Sequence, residues 1–129
     1  MTGRFLLDTN IVIALFARDA VIQANLANAA EVFVPSIVLG ELYYGANKSL
    51  RLAENVAKID EFAARNSILV CDTRTAQEYG QIKNSLRAKG RPIPENDIWI
   101  AALGKQHSLI LITRDAHLGE VDGLAIEAW

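Results

Sequence analysis

With 129 residues, 51% of them hydrophobic and 22% charged, the chain holds enough apolar material for one sizeable core and reads as one domain over residues 1–129. A formal net charge of -2 gives no global attraction for nucleic acid, so a ligand of that kind would have to be held by a local site. The single cysteine excludes an intrachain disulfide and a cysteine zinc site, and no apolar run reaches the roughly 18 residues of a membrane span or follows a leader pattern; a cytoplasmic protein without a membrane partner is expected.

The first apolar run, Phe5-Leu6-Leu7, predicts a strand that stops on Asp8, with Thr9 and Asn10 after it. Asn10 to Phe16 is a helical segment, and Asp19 can cap a second helix reaching about Ala30. Val32-Phe33-Val34 is a short strand closed by Pro35, with Ser36 placed as the N-cap of a helix toward Asn47. Glu41 falls about one and a half turns into that helix, between Ile37 and Gly45 and without an evident basic partner. From Ser49 to Arg65, Leu52, Val56, Ile59 and Phe62 share one face of an amphipathic helix. Ile68 to Cys71 is a third strand that buries the thiol, and Asp72-Thr73 resembles a cap for a helix through Ala88 that ends in Lys89-Gly90. After a loop from Arg91 to Pro94, a helix opens with Asn96 and Asp97 in its first turn. Leu109 to Ile112 is a strand running into Thr113-Arg114-Asp115; Gly119 to Gly123 is a turn region, and Leu124-Ala125-Ile126 is a brief last strand. Strands that alternate with helices in this way predict an α/β fold with a central, mostly parallel sheet flanked by helices on both faces.

Four acids interrupt apolar segments: Asp8, Glu41, Asp97 and Asp115. Singly, each fits an ordinary role, as a cap, a helix-start acid or half of an ion pair. Asp72 also follows an apolar strand, yet the residues after it favour capping. Together the four can face the crevice beyond the carboxyl ends of parallel strands. Like charges that close do not all stay ionised without a cation, and a carboxylate set suits Mg²⁺ or Mn²⁺ where zinc would call for His or Cys.

The motifs Leu7-Asp8-Thr9-Asn10, Gly40-Glu41-Leu42, Asn96-Asp97-Ile98-Trp99-Ile100-Ala101-Ala102 and Thr113-Arg114-Asp115-Ala116-His117, in this order and spacing, resemble the PIN-domain ribonucleases, and more narrowly the VapC-type toxins of toxin–antitoxin pairs. The resemblance covers essentially the whole chain. It implies a single PIN-like domain in which Asp8, Glu41, Asp97 and Asp115 bind Mg²⁺ or Mn²⁺ and support hydrolysis of RNA phosphodiester bonds. It also implies an antitoxin partner, a homodimer, and support of the site by the Thr113 hydroxyl. Thr9, Asn10 and Asn96 are candidates to orient the carboxylates, and Arg114 to contact phosphate. His117 reads as a structural hydrogen-bonder, and Lys83, Arg87, Lys89 and Arg91 as a solvated helix face. Tyr43, Tyr44 and Trp99 could stack bases, though at helical spacing they read first as core or interface. Rival functions are a phosphatase with an aspartyl nucleophile, disfavoured because its second acid would stand where Asn10 does, and a regulatory or RNA-binding module without catalysis.

Overall fold

Strand β1 (Arg4–Leu7) lies at the centre of the sheet with Phe5, Leu6 and Leu7 buried, as expected of a strand covered on both faces. The computed structural model describes residues 3–129. Around β1 the remaining strands, β2 (Glu31–Pro35), β3 (Ser67–Leu69), β4 (Ile110–Ile112) and β5 (Ile126–Glu127), form one five-stranded sheet in the order β3-β2-β1-β4-β5, every neighbouring pair parallel.

The chain builds outward from β1 to β2 to β3 through α1 (Thr9–Phe16), α2 (Ala20–Ala27), α3 (Ser36–Lys48) and α4 (Leu52–Arg65). It then crosses back to β4 through α5 (Thr73–Ala88) and α6 (Glu95–Gln106), which pack extensively on each other. Right-handed crossovers put these two groups on opposite faces, because the direction of travel across the sheet reverses. The reversal falls between β1 and β4, so the crevice beyond their carboxyl ends is the topological switch point. Ile100, Leu103, Leu111 and Ile112 pack with the β1 side chains in one continuous core. No single helix among the described residues is long and apolar enough to cross a membrane.

Several local expectations need correction. Cys71 is exposed: β3 is an edge strand that stops at Leu69, so Val70 and Cys71 run out past the sheet. Ser36 is the first residue of α3 rather than its cap; Pro35 takes the cap position with no side-chain hydrogen bond, and its own ring blocks continuation of the helix backward. The helix expected from Ser49 starts at Leu52, since the Ser49 hydroxyl accepts from Arg51 N–H and Asn55 Nδ2 and holds an extended entry. The helix expected to reach about Ala30 ends at Ala27, with Asn28 donating back to the Ala24 carbonyl. The last strand shifts to Ile126–Glu127, because Leu111 and Thr113 N–H bond the Ala125 and Glu127 carbonyls; a short 3₁₀ helix (Ala116–Glu120) occupies much of the expected turn.

Candidate active site

Asp8 is the first residue past β1, and its backbone N–H still donates to the Ile112 carbonyl of β4 at 3.0 Å, which pins its position between the two central strands. Its side chain caps α1 through the Thr9 N–H at 2.8 Å. Only 4% of the residue is exposed, an unusual place for a carboxylate. Burial raises its pKa; hydrogen bonds from Thr113 and Thr9 act the other way, and Asp115 adds like-charge repulsion.

Thr113, one residue past β4 and buried, joins the two strand ends: its hydroxyl donates to Asp8 Oδ2 at 2.7 Å and accepts from the Asp115 N–H at 3.0 Å. Asn10 completes the link. Its Nδ2 lies 3.3 Å from Asp8 Oδ2 and 3.4 Å from Thr113 Oγ1, while its Oδ1 accepts the Arg114 N–H at 3.2 Å. Asp115 in turn accepts the backbone N–H of His117 at 2.9 Å, and its Oδ1 stands 3.1 Å from His117 Nδ1.

The other two acids arrive on helices. Glu41, half-buried on α3, is raised in pKa first by desolvation and then by the charge of Asp8, while the Thr9 hydroxyl pulls the other way. That hydroxyl is itself buried and makes no well-formed hydrogen bond with the described residues. Asp97, in the first turn of α6, is pushed up to about 6, first by desolvation and then by Asp8, Asp115 and Glu41, with His117 partly opposing. Its carboxylate accepts no hydrogen bond from the described residues, so it faces the other acids unsupported. The fold therefore brings Asp8, Glu41, Asp97 and Asp115 to one crevice, although among the described residues no three His, Cys, Asp or Glu side chains are already gathered into a closed metal-binding group.

Asp72 stands apart and forms a capping box with Thr75, accepting from its N–H at 3.0 Å and from Gln106 Nε2 at 2.8 Å. Asn96 is exposed beside Glu41 in a cleft between α3 and α6. The Arg114 guanidinium is engaged by Asp19 at 3.0 Å and by the Trp129 carbonyl at 2.9 Å; Asp19 and Trp129 are partners that no local sequence signal points to. In the basic run, Lys83 pairs with Glu95 at 2.6 Å and Lys89 with Asp122 at 2.8 Å, in keeping with a solvated, ion-paired face.

A doubly wound parallel sheet places its candidate ligand crevice at the switch point, and here that crevice receives the acids. The chain belongs to the PIN domain family, whose model matches residues 5–124. It is 39% identical to Ribonuclease VapC2 of Haemophilus influenzae over 98% of each chain. It is 35% identical to the tRNA(fMet)-specific endonuclease VapC of Shigella flexneri, again over 98% of each. Its structure superposes on that of the DNA-bound VapBC of Salmonella typhimurium with a TM-score of 0.91, at 32% identity and 98% coverage of both chains.

Proposed function

We propose that this protein is a metal-dependent endoribonuclease of the VapC type, the toxin of a toxin–antitoxin pair, hydrolysing RNA phosphodiester bonds at the four-acid crevice. The family and the ribonuclease relatives support the reaction class. The observation that carries the site is Asp97, an acid without a hydrogen-bond donor among the described residues that is pressed by three other carboxylates. Such a group is costly unless a cation shares the crevice. An all-oxygen donor set with an orphaned buried hydroxyl at Thr9 fits a hard divalent ion, Mg²⁺ or Mn²⁺.

In this reading Asp8 and Asp97 hold the ion directly, Glu41 ligates it or orients water, and Asp115 serves a second or weaker position. When bound, the ion supplies acidification of a coordinated water and neutralisation of charge at the phosphate. Thr113 and Asn10 aim Asp8 by donating to its Oδ2, and these bonds partly offset the effect of burial on its charge. Glu41, whose carboxylate is made more basic by desolvation and by the charge of Asp8, would accept a proton from the attacking water. The buried walls of β1 and β4 exclude bulk water from one side of the crevice, which strengthens these electrostatic effects.

The relatives suggest a substrate class and a partner: tRNA as the first RNA to try, and an antitoxin that silences the site. Expressed alone in growing bacteria, the protein should arrest growth and produce new RNA ends that sequencing can map. An Asp97→Asn variant made at the same level should do neither, and equal toxicity from it would exclude cleavage as the cause.

A further inference from the structure

Glu41, Tyr44 and Lys48 follow one another along one face of α3 at i, i+3 and i+7, a span of about 10 Å. Tyr44 is 64% exposed, among the most exposed of the large hydrophobic side chains described, and the Lys48 ammonium sits 4.4 Å from its ring centre. Between α3 and the start of α6 lies a cleft of about 370 Å³, lined by Ile37, Gly40, Glu41, Tyr44 and Asn96. One of its walls is Glu41, one of the four acids. Gly40 is exposed, and a Cβ there would meet nothing within 4 Å.

Resting on the nuclease reading above, we propose that this cleft is a nucleotide subsite for single-stranded RNA: a base next to the scissile phosphate stacks on Tyr44, with Asn96 at its edge and Lys48 on the adjoining phosphate. An aromatic face held in water is a sequence-tolerant platform for a base. The Asn96 amide offers both a donor and an acceptor to a base edge. Lys48 supplies positive charge locally in a chain whose net charge is -2, where a nucleic acid has no global field to follow. An RNA ligand is favoured over a protein contact because one of the four acids lines the cleft and a cation stands beside its aromatic ring.

The test is made in the Asp8→Asn background, where binding is measured without cleavage, using a short fluorescein-labelled single-stranded RNA and anisotropy. Tyr44→Ala should weaken binding about tenfold, Tyr44→Phe should bind within about twofold of the parent, and Lys48→Gln should flatten the salt dependence of binding. Mn²⁺ affinity, read by calorimetry in the Asp8-containing protein, should be unchanged by Tyr44→Ala. Equal RNA affinity for Tyr44→Ala and parent would overturn the proposal. So would a loss accompanied by a changed oligomeric state on gel filtration, which would make Tyr44 part of a protein–protein contact. Because cleavage plays no part in the binding assay, failure here and failure of the nuclease reading are separable.

Discussion

At the scale of single residues, the site turns on how Asp8 is held. Its carboxylate is almost wholly buried, yet it has three donors, and one of them, Asn10, also fixes the Arg114 backbone beside Asp115. Asn10→Ala should therefore cost roughly 10- to 100-fold in Mn²⁺ affinity or in cleavage rate while leaving the fold intact, measured by calorimetry and circular dichroism. Asp97 presents the opposite case, a carboxylate with like charges around it and no donor among the described residues. In chelator, Asp97→Asn should melt above the parent, because it removes repulsion and breaks no hydrogen bond. With saturating Mn²⁺ the order should reverse, since only the parent gains the full stabilisation of binding. A mutant less stable than the parent in chelator would mean that Asp97 is not strained by its neighbours.

At the scale of elements, the four acids were legible because each broke an apolar pattern where a strand or helix had to pack. Their convergence followed from the parallel topology that alternating strands and helices predict. The decoy was legible too: Asp72 with Thr75 three residues on is a capping box, and it lies at the start of α5, away from the crevice. Asp72→Ala should lower the melting temperature by roughly 4 °C through loss of the cap and the Gln106 contact, with RNA cleavage kept within a few-fold. What local pattern could not convey was anything set by partners distant in sequence. Cys71 reads as buried in Ile68-Leu69-Val70-Cys71, but burial of that run depends on whether β3 is central or at the edge. The Arg114 link to Asp19 and Trp129, and the exposure of Tyr44 on a helix whose other aromatic, Tyr43, is tied to Asp60, depend likewise on tertiary placement.

At the scale of the whole molecule, the proposed site would be kept against the stability of the fold. Asp8 and Glu41 are raised in pKa and Asp97 stands at about 6, so the folded state holds protons that the unfolded chain has already released. Stability from these groups is therefore present at low pH and lost as pH rises through the folded values, a window from about 4 to 6 for Asp97. In chelator, the melting advantage of Asp97→Asn over the parent should be small near pH 4, grow through that window and be complete by about pH 7. Asp19, Asp72 and Glu95, all lowered, act in the opposite sense at more acid pH, and comparing parent with mutant cancels them. The measurement that bears most directly on the account is cleavage of end-labelled tRNA by the purified protein, in Mn²⁺ and in chelator, with Asp8→Asn run beside it. Internal cleavage should need the metal and fall about a hundredfold or more in Asp8→Asn; cleavage undiminished in chelator, or equally fast by the mutant, would contradict a metal-dependent site at Asp8.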